Sequence, residues 1–348
     1  MKTQIFQIND LSAENLAGLK KAAQLIKDGE TVVFPTETVY GLGADALNPQ
    51  AVKKIFEAKG RPNDNPLIIH LSEEAEIARL VSQIPSQARV LMEKFWPGPL
   101  TMVLKKSALV PDAVTAGLDT VAIRVPDHPI ASAFIKMAGC PVAAPSANRS
   151  GRPSPTSAGH VLNDLDGLVA AMIISADTEI GLESTVIDMT VEPPMVLRPG
   201  DITVRALRDV LGQVVVAANV TDNVCPEKVA SPGMKYTHYS PQGELIVVKG
   251  NKTEITEKIT KALKHSKKAR MKIGVLATNE TMAFYKEGIT ISLGSESDPK
   301  ELAKNLYSRL RTFDDLGVEV IYAEDIPMNN ETLALINRLY KAAGYHFI

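Results

Sequence analysis

The chain is short of several things that would narrow its chemistry at once. It has two cysteines among 348 residues, Cys140 and Cys225, far apart and in no C-x-x-C spacing. That suits a reducing compartment and rules out an all-cysteine zinc site. Its six histidines are scattered and none stands in H-E-x-x-H, which argues against a dedicated protein metal site. The first residues, M-K-T-Q-I-F-Q-I-N-D, are too polar for a signal peptide, and no apolar run reaches membrane-spanning length, so a cytoplasmic location is expected. No internal repeat or low-complexity tract stands out. The formal net charge of -2 argues against a chain basic all over, yet leaves room for a local basic patch facing nucleic acid.

What remains is 45% apolar and 22% charged, an ordinary globular balance, in a length that favours two domains over one. The stretch from Val32 to His70 is the most informative. It reads V-V-F-P-T-E-T-V-Y-G-L-G-A-D-A and then K-G-R-P-N-D-N-P-L-I-I-H. Hydroxyls and fixed cations at one end of a strand are what a small anionic substrate needs. If the strand runs on through Thr36 and Thr38, their hydroxyls share a face with Tyr40; the plainer alternative is two β-formers on a solvated face. Gly41-Leu-Gly-Ala-Asp-Ala46 formally matches a dinucleotide fingerprint, but Asn48-Pro49 follows at once, where the pyrophosphate would need a helix N-terminus. The glycines are expected to permit a tight turn.

The periodicity predicts helices over Leu16–Lys27, Ala51–Ala58, Ile84–Phe95 and Pro129–Ala138. Strands are predicted at Val32–Phe34, Pro66–Leu71, Leu100–Leu104, Thr120–Val125, Val142–Ala144, Leu168–Ile174, Ser184–Met189 and Val196–Arg198. Strands outnumber helices, so the first domain, 1–212, is expected to be α/β with a large, twisted, mixed sheet. Residues 213–243 read as a linker, ending in S-P-G-M-K-Y-T-H-Y-S-P. From 244 to 348 strands and helices alternate: Leu245–Val248, Glu254–Leu263, Ile273–Ala277, Met282–Lys286, Ile289–Leu293, Pro299–Phe313, Val318–Tyr322 and Glu331–Ala342. That is a smaller parallel α/β domain without a glycine-rich phosphate loop. The basic run Lys264–Lys272 reads first as a solvated helix end, and otherwise as a nucleic-acid contact.

Other polar clusters stand at strand ends. Lys59 and Arg61 lie just past a helix C-terminus, where cations answer the macrodipole or bind an anion; Arg61-Pro62 fits the first reading less well. Ser146 and Asn148, in Ala143-Ala-Pro-Ser-Ala-Asn148, could hold a nucleotide phosphate, or simply form an Asx/Ser turn. Gly181-Leu-Glu-Ser-Thr-Val-Ile-Asp188 and Arg198-Pro-Gly200 repeat both themes. Together these clusters imply one crevice for a polyanionic ligand and a small zwitterionic one.

In this order, P-T-E-T-V-Y-G-L-G, K-G-R-P, A-P-S-A-N-R-S-G, G-L-E-S-T-V-I-D and R-P-G resemble the YrdC-type threonylcarbamoyl-AMP synthases. S-P-G-M-K-Y-T-H-Y-S-P and the small α/β domain resemble the long, two-domain form. The resemblance implies a concave basic sheet face, a Rossmann-like second domain, and a nucleotidyl transfer. L-threonine, bicarbonate and ATP, with Mg²⁺ held mainly through the phosphates, would give threonylcarbamoyl-AMP and pyrophosphate, without a side-chain nucleophile. The product would feed threonylcarbamoyladenosine at position 37 of tRNA through a separate transferase complex, with a possible tRNA contact.

Residue by residue, the resemblance implies Thr38, His70, Arg124, Ala144 and Ser184 for threonine. It implies Arg61, Asn65, Thr120, Ser146, Asn148, Ser154, Arg198, Tyr236 and His238 for ATP, the last two on a linker closing as a lid. Lys59 and Arg61 carry the catalytic charge. One departure is Ile174-Ser-Ala-Asp177, where the family has an Asp-Gly-Gly-like stretch. The alternative is an RNA-binding module of the same fold. A hydrogenase-maturation role is disfavoured because acylphosphatase and zinc-finger segments are lacking.

Overall fold

The computed structural model describes residues 2–221, 239–269 and 271–348. The chain divides into two compact units. One takes in Met1–Ser150, Ser154–Glu179 and Glu183–Lys235; the other takes in Gly151–Pro153, Ile180–Leu182 and Tyr236–Ile348.

The first unit carries the strands β1 (Gln4–Gln7), β2 (Val32–Phe34), β3 (Gly41–Asp45), β4 (Ile68–His70), β5 (Leu100–Lys105), β6 (Thr120–Arg124), β7 (Val142–Ala144), β8 (Ala171–Ile174), β9 (Thr185–Asp188), β10 (Met195–Arg198) and β11 (Val215–Val216). They lie in the order β1-β8-β2-β3-β7-β4-β6-β5-β9-β10-β11. Pairing is mixed: β2 runs antiparallel to β3, β3 to β7 and β7 to β4, whereas β4 and β6 run parallel. The large mixed sheet expected from the strand-rich pattern is therefore present.

Its helices are α1 (Ala13–Lys27), α2 (Pro49–Lys59), α3 (Ser86–Phe95), α4 (Asp112–Thr115), α5 (Pro129–Ala138), α6 (Ala158–Leu165), α7 (Val204–Leu211) and α8 (Ala218–Thr221). Their ends follow capping chemistry. Pro129 opens α5 behind an N-cap His128 whose ring accepts the Ala131 N–H, and Gly139 closes it at φ 67°. The helices α1 and α5 cover one face of the sheet. Leu19, Ala22, Ile26, Ile130, Phe134 and Ile135 pack there on Val32, Phe34, Val142 and Ile173. Each such large side chain contributes about 1.5–3 kcal/mol by leaving water.

The pattern analysis overlooked several elements. β1 is a short, largely exposed edge strand, and α6 opens after a Ser/Gly/Pro-rich loop that hides its start, although Ser157 caps the His160 N–H. The apparent linker begins with β11 and α8. Gly41 and Gly43 make no tight turn. They lie inside β3, where Val32 pairs with Gly43 and Phe34 with Gly41. They are needed for close approach: a Cβ on Gly43 would lie 2.6 Å from Val142 Cγ1 and 2.9 Å from Phe34 Cε1.

The second unit holds β12 (Glu244–Val248), β13 (Ile273–Ala277), β14 (Ile289–Ser292) and β15 (Val320–Glu324), with α9 (Lys252–Ala269), α10 (Pro299–Asp315) and α11 (Leu333–Ala342). All its sheet pairings are parallel, in the order β12-β15-β13-β14. β15 starts two residues later than predicted because Val318 still closes α10, donating its N–H to the Phe313 carbonyl after Gly317 at φ 62°. At the C-terminal strand ends the buried Glu324 accepts from the Thr278 N–H, the Thr281 hydroxyl and the Tyr285 hydroxyl at 2.9, 2.6 and 2.5 Å. Arg311, also buried, donates to the Pro153 carbonyl from Nε and Nη2 at 3.2 and 2.6 Å.

Substituting Gly43→Ala is expected to cost roughly 1–3 kcal/mol through overpacking between β2 and β7. Urea unfolding checks this; an unchanged midpoint would show that the sheet yields there freely.

Candidate active site

The P-T-E-T stretch does not extend β2. The strand stops at Phe34, and Thr36 turns the chain. Its hydroxyl accepts the Thr38 and Val39 N–H groups at 3.2 and 3.3 Å and donates to the Val39 carbonyl at 2.6 Å. Its single proton is thus used, so in the 2.9 Å contact between the two hydroxyls Thr38 is the donor. Thr38 Oγ1 also accepts from Arg124 Nη1 at 2.8 Å. One lone pair of the Thr38 hydroxyl is left.

The expected shared face of Thr36, Thr38 and Tyr40 is therefore not found. The Tyr40 hydroxyl donates instead toward the carbonyls of Ser175 and Ala176, and accepts the Ser175 N–H. Burial, with the Asp177 charge adding to it, pushes the phenol up to about 12, so it stays protonated. Tyr40 thereby anchors the Ile174–Asp177 stretch where the chain departs from the family pattern.

Arg124 ends β6, and its parallel register partner His70 ends β4. The guanidinium is buried. It donates from Nε to the Gly98 carbonyl at 3.1 Å and from Nη1 to Thr38, and its Nη2 forms an ion pair with Glu37. His70, 5% exposed, has its Nδ1 3.2 Å from the Ile68 carbonyl. Burial pushes its pKa down to about 3; the Arg124 charge acts in the same direction, as does that of Arg198. The imidazole is therefore held neutral near neutral pH.

Ser184 stands at the entry to β9. Its hydroxyl lies 2.7 Å from Thr101 Oγ1 and accepts from Arg198 Nη2 at 3.1 Å, and its carbonyl accepts from Arg198 Nε at 3.1 Å. Thr101 was missed because it sits inside an apolar run, where nothing in the pattern separates it from a strand-forming threonine. Glu37 was missed although a carboxylate inside V-V-F-P-T-E-T-V-Y is itself a signal of a buried partner.

A second group adjoins this one. Lys59, buried at the end of α2, donates to the carbonyls of Ser146 and Asn148 at 2.6 and 2.5 Å, and its ammonium lies 3.4 Å from Asn148 Oδ1. The Ser146 hydroxyl donates to that same amide oxygen at 2.5 Å. Backbone bonds from Leu42 to Pro145 and from Ala147 to Tyr40 tie this loop to β3. Arg61 lies just beyond the left-handed Gly60, 3.5 Å from the Asn65 carbonyl. Asn65 is 1% exposed, and neither polar atom of its side chain has a hydrogen-bond partner. A buried amide in that state is costly unless a ligand meets it. Beside it a groove of about 910 Å³ is lined by Phe56, Gly60, Arg61, Pro62, Asn63 and Asp112, roomy enough for a nucleotide.

Thus Thr38, His70, Arg124, Ser184 and Arg198 come together, as do Lys59, Ser146 and Asn148. Ala144 pairs with Ile68 beside His70. Thr120 stands at the opposite end of β6 from Arg124, the end that α4 leads into. The Ser154 hydroxyl donates to Glu183 at 2.5 Å. Arg149 is drawn to Asp164, and Arg152 forms an ion pair with Asp314. Tyr236, His238 and the lid expected of the linker lie outside the described residues, as do the side chains at 266–270 of the basic run. Among the described residues no helix is long and apolar enough to cross a membrane.

A family model described as "Telomere recombination" matches residues 24–200, and one described as "Threonylcarbamoyl-AMP synthase, C-terminal domain" matches 202–344. The threonylcarbamoyl-AMP synthase of Bacillus subtilis is 45% identical over 348 residues, 99% of each chain. That of Pyrococcus abyssi is 46% identical over 330 residues, 95% of each chain. The crystal structure of P. abyssi Sua5 complexed with L-threonine superposes with a TM-score of 0.94 at 44% identity, covering 99% of both chains.

Wild-type stability should fall as the pH drops below 6.5, because the unfolded histidine binds a proton that His70 refuses down to about pH 3. The stability due to the neutral ring is complete above the unfolded value and is lost progressively across that window. His70→Asn should therefore flatten the curve by up to about 1.4 kcal/mol per pH unit. Parallel curves for the two proteins between pH 6.5 and 4.5 would show that the ring titrates normally.

Proposed function

The chain belongs to the threonylcarbamoyl-AMP synthase family, in its two-domain form, and we propose that the two side-chain groups around Arg124 and Lys59 are its threonine and ATP subsites. Family membership sets the activity: the chain is an enzyme that makes threonylcarbamoyl-AMP, a nucleotidyl transfer. The observation that carries the site assignment is the match to a threonine-bound relative over 99% of both chains. The RNA-binding alternative is not favoured.

The carboxylate of L-threonine meets the N–H donors left on the two terminal nitrogens of Arg124. Thr38 Oγ1, the neutral His70 ring, the Ser184 hydroxyl and the Ala144 backbone surround the amino and hydroxyl groups. Arg198 and Arg61 take the phosphates. The loop that Lys59 holds presents Ser146 and Asn148 to the nucleotide. Asn65 and Thr120 face the adenosine end beside the groove, and Ser154 adds oxygen lone pairs. Mg²⁺ would arrive with ATP and offset the phosphate charge. Among the described residues no three His, Cys, Asp or Glu side chains form a metal-binding group.

Bicarbonate loses hydroxide to give CO₂, the free amine of threonine adds to its carbon, and the amine proton passes to that hydroxide, so a carbamate and water result. A carbamate oxygen then attacks the α-phosphorus, and the bond to the β-phosphate oxygen breaks to release pyrophosphate. Nothing asks for a side-chain nucleophile. Burial pushes the Cys140 thiol up to about 12, so it stays protonated. The protein's part is positioning and charge neutralisation. The product is suited to a separate transferase that carries the threonylcarbamoyl group to adenosine 37 of tRNA.

Pyrophosphate release from ATP should require both threonine and bicarbonate. Release that persists undiminished without threonine would sink the proposal. Arg61→Ala should cut turnover by about 10²-fold or more, as loss of one charge-stabilising donor does, while stability moves by about 1 kcal/mol at most. Equal losses in both would make Arg61 a structural residue.

A further inference from the structure

The assignment of Arg124 to the threonine carboxylate leaves open what holds that guanidinium still. Arg124 is 3% exposed, and a cation so placed needs both a counter-charge and a hydrogen bond along each direction it points. Glu37, 4% exposed, supplies the counter-charge. Its Oε1 pairs with Arg124 Nη2 and at the same time accepts the Asp127 N–H at 3.1 Å. The carboxylate is thus pinned from two sides, by the guanidinium and by the backbone that follows β6.

The neighbouring Thr38 takes Arg124 Nη1, and Thr36 fixes the Thr38 proton. The tripeptide Thr36-Glu37-Thr38 therefore closes around one guanidinium. Of its five N–H groups, Nε gives one to Gly98 and Nη1 one to Thr38, while Nη2, ion-paired with Glu37, makes no hydrogen bond within the protein, so donors remain on both terminal nitrogens. Donors on both terminal nitrogens can take up the two oxygens of a carboxylate. A guanidinium free to rotate would lose the bidentate fit, and would pay for ordering when the amino acid binds.

We propose that Glu37 is a positioning residue for amino-acid recognition: through its ion pair with Arg124 it aims the remaining N–H donors at the threonine carboxylate. The inference rests on Arg124 being the carboxylate site. The contacts of Glu37 are with Arg124 Nη2 and the Asp127 N–H. Its removal therefore acts on threonine affinity and not on the nucleotide or on the chemical step.

The test uses the full-length enzyme, with pyrophosphate release read at saturating ATP and bicarbonate. Glu37→Gln keeps the shape and an acceptor oxygen but removes the charge; loss of a charged hydrogen-bond partner should raise the threonine KM about tenfold or more. The ATP KM should stay within about twofold and kcat within about threefold, changes that fall well short of a charged contact. Glu37→Asp retains the charge on a shorter stem and should fall between wild type and Gln, so the idea remains testable if Gln folds poorly. Arg124→Lys is the control. If it leaves the threonine KM unchanged, the carboxylate assignment itself fails. If it raises that KM while Glu37→Gln and Glu37→Asp do not, the positioning role alone is overturned. The same holds if the Glu37 variants raise both KM values in parallel.

Discussion

A guanidinium taken out of water must be neutralised and hydrogen-bonded, and the first unit supplies Arg124 with a counter-charge and two acceptors. The residue ends β6, which lies between β4 and β5 in the sheet. Its partners come from three separate loops: Thr38 and Glu37 before β3, Gly98 before β5, and Asp127 after β6 through Glu37. The Gly98 turn is itself fixed, because Trp96 Nε1 donates to the Leu100 carbonyl at 2.7 Å. Charge at a sheet's interior end is expensive, and the Glu37 carboxylate offsets it.

The same charge sets the behaviour of its neighbours. His70 is buried beside Arg124 and within reach of the Arg198 field, so it is held neutral. Ser184 is gripped by Arg198 and Thr101. Fixed dipoles and neutral rings in a dry setting suit a reaction whose demands are geometry and charge neutralisation. The group around Lys59 is built differently. There one ammonium, Lys59, gathers two carbonyls and thereby shapes a loop. Backbone bonds between that loop and β3 join the two halves into one wall.

Much of this could be read from residue order. Apolar runs placed α5 and β7 where they are found, since Pro129 and Gly139 mark helix ends and Val142–Ala144 is a short apolar run. Alternating segments after 244 foretold a parallel sheet because strands joined by helices can hardly pair otherwise. β3 was hidden because G-L-G-A-D looks like a turn; only the closeness of Val142 and Phe34 explains glycine there. Tyr40 looked like a site residue because a period of two was extended past the end of β2, and the turn at Thr36 broke that period.

By itself the sequence determined the fold class, the polar strand ends and the family, because hydrophobic periodicity and short motifs are local properties. Tertiary structure decided which polar groups meet. Glu37 and Arg124 are far apart in sequence, and so are Thr101 and Ser184, so no spacing rule could pair them. Only strand order and register bring them within hydrogen-bonding distance, and it is that distance which turns separate hydroxyls and charges into a site.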